Sequence, residues 1–196
     1  MCLPGSGSWA YGACLLPWRQ CEHPGGGDAS PAPSATPSLA PLTPEGLSDP
    51  GAGYALEGLP PGLGEQEEAM VRGFVAYDIA TWVAVQKVDG DLTDVEATTT
   101  GTDLDVVRAA LAELQAEGSH HEGRQSTTIL SVESLNPIEG RLKICVDQRQ
   151  SVLRDAAGSD VTPESEKHRF SIWVSMDATS GTWKVSRYAQ AGVDDC

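Results

Sequence analysis

From Glu65 onward the chain carries two repeating patterns of apolar residues, first with the period of a helix and then with that of a β-strand. Mostly apolar side chains recur at steps of three and four residues, at Met70, Phe74, Tyr77, Thr81, Val85 and Val88. Such spacing predicts a helix of about six turns that buries one face. A second stripe follows at Leu104, Val107, Leu111 and Leu114. It predicts another helix, with Thr102 or Asp103 as its N-cap and Gly118 at its end.

Beyond residue 125 the period falls to two, and four β-strands are predicted, at about 126–135, 141–147, 168–177 and 183–189. In the second strand Leu142, Ile144 and Val146 face one way, whereas Cys145 lies on the opposite face. Two helices followed by an antiparallel run of strands predict an α+β domain. We expect the helices to pack on one face of a curved antiparallel sheet of about four strands.

The first 64 residues have a different composition and predict no core of their own. They contain 11 of the 13 prolines and 12 of the 21 glycines, and the run GGGDASPAPSATPSLAPLTPEG offers almost no large apolar side chain. Such a segment cannot bury enough apolar surface to offset the entropy of ordering it. We therefore expect a disordered tail and linker over residues 1–64 and one folded domain over residues 65–196.

The formal net charge of −15 argues against two classes of partner. Nucleic acid and anionic membranes are bound through clusters of Lys and Arg, and the sequence shows no such cluster. The longest apolar runs are far shorter than the roughly 20 residues that a bilayer requires. The sequence predicts neither a nucleic-acid partner nor a transmembrane segment.

The order of elements is accompanied by "CVD" in the second strand, "GTWKV" at the last turn and a cysteine at position 196. With these motifs the chain resembles actinobacterial secreted or lipid-anchored proteins with a cone-shaped, cystatin-like or nuclear transport factor 2-like domain. The resemblance covers about Glu65 to Cys196. It implies a fold more readily than a function, because most of those proteins have no assigned activity.

The resemblance also implies a place for a ligand. Related cone-shaped enzymes bind small molecules between helix and sheet, and use Tyr, Asp or His as acid, base or oxyanion donor. In this chain it implies Tyr77, Asp78 and Trp82 as candidate ligand-binding residues. A Tyr in a helical stripe is more often a core residue, so we predict no catalytic residue. No Ser-His-Asp order, phosphate-binding glycine loop or paired metal motif stands out.

Cys145 lies in the middle of a predicted strand, and three explanations are open: a disulfide with Cys196, a free buried thiol, or a catalytic or metal-binding group. Reactive cysteines usually lie at a helix N-terminus or beside a His or Lys that lowers the pKa of the thiol. The sequence gives no sign of such a base. We expect the disulfide, because it would fasten the C-terminal tail beside the second strand. Such a bond persists only in an oxidising compartment.

Two further groups of side chains carry weaker signals. His120, His121 and Glu122 are the only metal-like cluster, but adjacent histidines point apart and a metal needs three or four converging ligands. We expect a solvated loop there, and neither a metal nor another cofactor. The roles of Cys2, Cys14 and Cys21 stay open.

These observations predict a non-catalytic extracytoplasmic domain, tethered by a flexible stalk, that binds a small hydrophobic ligand or a protein partner. The alternative is a small isomerase- or dehydratase-like enzyme that uses the cone cavity. We expect a secreted or cell-surface protein whose export signal lies outside this sequence, and otherwise a cytoplasmic one. Trp173, on the polar face of the third strand, is a candidate contact for a homodimer through the sheet.

Overall fold

The computed structural model describes residues 41–196 and contains both predicted long helices and all four predicted strands. The helices are α1 (Pro44–Leu47), α2 (Glu65–Lys87), α3 (Thr93–Thr98) and α4 (Gly101–Glu117). The strands are β1 (Tyr54–Gly58), β2 (His120–Gly123), β3 (Gln125–Asn136), β4 (Glu139–Asp147), β5 (Ser151–Arg154), β6 (Arg169–Asp177) and β7 (Lys184–Val193). A short 3-10 helix covers Glu164–Glu166.

The long helix α2 starts and stops at recognisable signals. At its N-terminus the Gly64 amide donates to Glu67 Oε2 over 2.9 Å, and three acidic residues of the first turn face the positive end of the helix dipole. At its C-terminus Val88 adopts a left-handed conformation with φ 46°, and its amide donates to the Ala84 carbonyl. The helix therefore has the extent that the apolar stripe predicts.

Five strands form the main sheet, in the order β1-β3-β4-β6-β7. The four predicted strands, β3, β4, β6 and β7, are antiparallel neighbours. β1 joins the β3 edge in the parallel direction, so the sheet is mixed. Register shifts interrupt the pairing of β3 and of β7, and such irregularities bend a sheet. The predicted α+β class, with helices on a curved sheet, is confirmed.

The core lies between α2 and one side of this sheet, which we call the helix-covered face. Strand alternation sends Leu142, Ile144 and Val146 to that face, where each is 0% exposed. They pack in one cluster with buried residues of α2, among them Met70 and Phe74. Each side chain of this size contributes about 1.5–3 kcal/mol when it is fully buried. The domain is stabilised mainly on this side of the sheet.

The predicted domain boundary at residue 65 is wrong in detail, because residues before it belong to the fold. β1 pairs with β3 from Tyr54 to Gly58, and Tyr54 and Leu56 are 1% and 3% exposed in the main core. Leu47 of α1 is buried in the same cluster. A short strand in a Gly- and Pro-rich segment carries little local signal, and its burial comes from pairing with distant β3. Of the tail and linker predicted for residues 1–64, residues 1–40 lie outside the described residues.

A second, smaller sheet occupies a region that the sequence indicated as loop. β2 and β5 pair antiparallel from His120 opposite Arg154 to Gly123 opposite Ser151. The solvated loop predicted for His120, His121 and Glu122 is therefore corrected to a strand. Its sequence has no apolar alternation, so only the partner strand reveals it.

The opposite side of the main sheet, which we call the outer face, is polar and carries the disulfide. Cys145 is bonded to Cys196 with a Cα–Cα distance of 5.9 Å, as predicted, and is 3% exposed. The bond fastens the last residues of the chain against β4. Trp173 lies on this face and is 37% exposed, with the Arg141 guanidinium 5.0 Å from its ring centroid. The homodimer contact predicted for it stays a prediction.

Candidate functional site

The three candidate residues of α2 reach a single cavity beside the core. Asp78 and Trp82 are four positions apart, so they share one face of the helix, and Tyr77 is adjacent to it. All three line an open cavity of about 320 Å³ between α2, α4 and the two sheets. Their role as ligand-binding residues, which the resemblance implied, stays a prediction.

The three predicted residues form the deep part of this cavity, since Tyr77, Asp78 and Trp82 are only 5%, 2% and 4% exposed. More accessible side chains make up the walls, and they come from four other elements and from α2 itself. These are Thr81 and Val85 of α2, Ala110 of α4, His121 of β2, Tyr188 of β7, and Gln148 in the turn before β5. A ligand would touch the walls first.

Asp78 is a carboxylate in a dry position, and each of its oxygens accepts a hydrogen bond from β3. Gln125 Nε2 donates to its Oδ1 over 2.9 Å, and Thr127 Oγ1 donates to its Oδ2 over 2.7 Å. Burial raises the pKa of the Asp78 carboxyl from 3.8 to about 6, and the hydrogen bonds partly oppose this rise. The group therefore changes its charge close to neutral pH.

Tyr54 of β1 stands next to the same carboxyl. Its hydroxyl lowers the pKa of Asp78, although within residues 41–196 no partner lies at hydrogen-bonding geometry to it. Burial, followed by the charge of Asp78, raises the pKa of Tyr54 well above its ordinary value. The hydroxyl thus keeps its proton and is available as a donor.

A second acid and two more tyrosines complete the polar interior. Burial raises the pKa of the Asp103 carboxyl, while the Tyr77 hydroxyl and the Tyr188 backbone amide lower it. Tyr77 and Tyr188 have ring centroids 5.9 Å apart, and burial raises the pKa of each hydroxyl. Asp78 and Asp103 act in the same direction on both tyrosines. Two acids and three protonated phenols therefore share one region under the helices.

Trp82 and His121 close one side of the cavity. The Trp82 indole Nε1 donates to the Ala52 carbonyl over 2.9 Å, and its ring centroid lies 6.2 Å from that of His121. Burial lowers the pKa of His121, and the nearby His120 lowers it further. A neutral imidazole beside an indole presents an aromatic surface to the cavity.

The histidine pair shows no metal geometry. His120 Nε2 lies 3.3 Å from Glu122 Oε1, whereas His121 Nδ1 lies 3.1 Å from Ser151 Oγ on the neighbouring strand. Among residues 41–196 no three His, Cys, Asp or Glu side chains converge on one point. Within the same range, none of the helices has the length and apolar content of a membrane-spanning segment.

Sequence reasoning missed the accessible walls of the cavity. Tyr188 of β7 could have been predicted as a wall residue from the strand pattern. It lies opposite Val174 of β6 and therefore shares the side of the sheet that faces the helices. His121 and Gln148 had none, since their position depends on the small β2-β5 sheet. The sequence therefore indicated the floor of the cavity and left its mouth undefined.

Comparison with known proteins gives structural likeness without a sequence family. No protein-family model matches the chain, and no curated protein matches it in sequence. The intermembrane space region of the chloroplast protein ARC6 has a TM-score of 0.51 at 14% identity, covering 68% of this chain and 99% of that one. A ketosteroid isomerase-like protein from Erwinia carotovora atroseptica has a TM-score of 0.46 at 14% identity, covering 66% and 99%.

These similarities concern the fold alone. At 14% identity neither neighbour transfers a residue role to this chain. The arrangement of helices on a curved mixed sheet agrees with the α+β fold that the sequence resemblance implied. Function has to be argued from the cavity itself.

Proposed function

We propose that this domain is a non-catalytic binding module that takes a small, mostly apolar molecule bearing a hydrogen-bond donor. One observation carries the proposal: Tyr77, Asp78 and Trp82 converge on an open cavity of about 320 Å³, with the buried carboxyl of Asp78 in its lining. Ligand sites are concave, mainly apolar and fitted with a few converging polar groups. Aromatic walls suit the apolar body of a ligand, and the Asp78 carboxyl suits a hydrogen-bond donor on it.

The hydrogen bonds of Asp78 favour binding over catalysis. A general base must reach the proton that it removes. Both oxygens of Asp78 already accept bonds from β3, and the residue is 2% exposed. Its first role is to join α2 to the sheet. A ligand donor could still use the remaining acceptor capacity of the carboxylate, which offers about four lone-pair sites.

The disulfide supports a place outside the cytoplasm. Cytoplasmic reductants keep most protein thiols reduced, whereas secreted and surface proteins retain their disulfides. The Cys145–Cys196 bond would therefore persist in a secreted or cell-surface domain. The export of the protein is part of this proposal and is tested by locating the protein in fractionated cells.

The binding test uses pairs of ligands that differ only in the donor. Indole and N-methylindole, and phenol and anisole, are titrated into ¹⁵N-labelled protein while the Trp82 Nε1–H signal is followed. We expect the donor-bearing member of each pair to bind about fivefold more tightly, because one additional hydrogen bond to the Asp78 carboxyl contributes about 1 kcal/mol. Equal affinity within each pair would contradict a role for the Asp78 carboxyl as acceptor of the ligand's donor.

A matched pair of variants locates the site. Val85→Trp places a large ring in the cavity and should abolish the response to indole. Val106→Trp, at a position of α4 that is 64% exposed, adds the same ring elsewhere and should leave the response unchanged. Indole binding that survives Val85→Trp would contradict the proposed site.

A second candidate, an isomerase- or dehydratase-like enzyme, has one observation in its favour. The raised pKa of Asp78, about 6, is suited to proton transfer near neutral pH. Incubation with small ketones and hydroxylated aromatics in deuterated water would detect exchange at carbon. Exchange that is lost in Asp78→Asn and follows a pH profile with a midpoint near 6 would favour the enzyme over the binding module.

A further inference from the structure

We propose that the outer face of the sheet holds a second, separate site, an anion pocket centred on Arg169 that takes a small carboxylate or phosphate. The pocket has a volume of about 330 Å³ and lies beside the disulfide. It shares no lining residue with the cavity under the helices. Anion binding at this pocket is therefore independent of ligand binding in the cavity under the helices.

Strand alternation builds this pocket on the outer face. In β3, Gln125 and Thr127 point to Asp78 under the helices, so the alternate residues Ser126 and Thr128 point the other way. Ser126 lies opposite Asp147 in β4, which in turn lies opposite Arg169 in β6. These three side chains form one row across the sheet at the floor of the pocket.

Arg169 has donor capacity that the described part of the chain does not use. Its Nε is buried and has no hydrogen-bond partner among the described residues. Within the same residues its guanidinium forms no ion pair at 4.0 Å or less. Buried donors in native proteins are rarely left unpaired, so this Nε–H group is suited to a partner from solution.

The charged side chains that line the pocket sum to one positive charge. Arg124 donates to Glu57 over 2.6 Å, and Arg149 Nε donates to Asp147 over 2.9 Å. All four side chains line the pocket. The charges of each pair cancel, and the positive charge of Arg169 is left over. In a chain of net charge −15, the lining of this pocket is therefore locally positive.

The nearest acid of the C-terminal tail does not neutralise Arg169. Asp194 Oδ1 accepts from the Arg169 backbone amide over 3.0 Å, and its Oδ2 lies 2.6 Å from His168 Nδ1. The carboxylate is thus held by the backbone and by His168. The guanidinium of Arg169 is left for a partner from solution.

The chemistry of the lining selects an oxyanion. A guanidinium presents several N–H donors in a plane and matches the paired oxygens of a carboxylate or a phosphate. The hydroxyls of Ser126 and Thr128 line the same pocket and can add two donors. Chloride cannot use this arrangement, because it has no paired oxygens.

The test is a titration of the full chain followed at arginine side chains by NMR. ¹⁵N-labelled protein is titrated with sodium phosphate and, separately, with sodium succinate, against sodium chloride at matched ionic strength. We expect phosphate or succinate to shift the Arg169 Nε–H signal to saturation while chloride does not. That signal is assigned by its loss in Arg169→Gln.

Two variants measure the contribution of Arg169. Arg169→Gln should lower the affinity for the anion by about tenfold or more, since hydrogen bonds to charged groups contribute about 1.5–3 kcal/mol. Arg187→Gln removes a charge from an exposed arginine of β7 outside the pocket and should change the affinity less than about twofold. Equal losses in both variants would show general charge attraction and overturn the site.

A third variant keeps the proposal testable if Arg169→Gln does not fold. Thr128→Val removes a hydroxyl from the pocket and preserves the shape of the side chain. We expect a loss of about threefold or more in phosphate or succinate affinity, with an unchanged circular dichroism spectrum. An unchanged affinity in Thr128→Val, or no saturable shift with either anion, would overturn the anion pocket.

Discussion

The two faces of the main sheet use the same residue types in opposite ways, as two aspartates show. Asp78, on the helix-covered face, is 2% exposed, and burial raises its pKa to about 6. Asp147, on the outer face, is partly exposed, and its bond from Arg149 lowers its pKa. Desolvation is the largest cause of the pKa shift on the helix-covered face, and the hydrogen bond from a charged partner is the largest cause on the outer face. The position of a carboxyl relative to the helices decides its chemistry.

The largest expected effect concerns the edge of the helix-covered face. A chain that begins at Glu65 lacks Leu47, Tyr54 and Leu56, all buried in the main core. We expect it to lose more than about 5 kcal/mol of stability, or not to fold, because each such side chain contributes about 1.5–3 kcal/mol. A chain that begins at Pro41 is the control. Equal melting temperatures of the two chains would contradict the part assigned to β1.

Next in size is the covalent bond on the outer face. Cys145→Ser should lower the free energy of unfolding by about 2–4 kcal/mol, measured with urea under oxidising conditions, because the bond closes 51 residues. Cys196→Ser should give the same loss, and the double variant should add little. With reductant present, wild type and variants should converge. A loss that persists in reductant would assign the effect to packing around Cys145.

The pH dependence contrasts the two aspartates directly. Between 3.8 and about 6 the folded protein binds more protons at Asp78 than the unfolded chain does, so rising pH removes stability. Relative to Asp78→Asn, the wild type should lose about 3 kcal/mol from pH 3.5 to pH 7. At Asp147 the sign is reversed, because its lowered pKa contributes stability that is lost as the pH falls. Asp147→Asn should therefore remove stability at neutral pH and not in acid.

The smallest effect belongs to an exposed ion pair of the outer face. Arg124 and Glu57 are each 50% exposed, so Glu57→Gln should cost less than about 1 kcal/mol in urea unfolding. The loss should shrink further in high salt. A cost above about 2 kcal/mol, insensitive to salt, would show that this face contributes more to stability than its exposure indicates.

The sequence predicted elements whose signal is local and missed those whose signal lies in a partner strand. The stripe from Met70 to Val88 and the alternation around Leu142 are readable because each repeats over many residues. β1 and β2 have four or five residues each, and their pairing with β3 and β5 cannot be read from their own composition. For the same reason Tyr77, Asp78 and Trp82 are predicted as ligand-binding residues from the pattern of one helix, whereas His121 is not predicted as part of the cavity.

The parallel pairing of β1 with β3 has a consequence for the order of folding. Tyr54 and Gln125 are partners 71 positions apart, whereas β3 and β4 are joined by a turn at Pro137 and Ile138. Distant contacts cost more chain entropy before any energy is gained, so they form later than local ones. We expect Leu56→Ala to accelerate unfolding and leave the refolding rate nearly unchanged, whereas Ile144→Ala should slow refolding. The segment that completes the sheet would then be the last to dock and the first to leave.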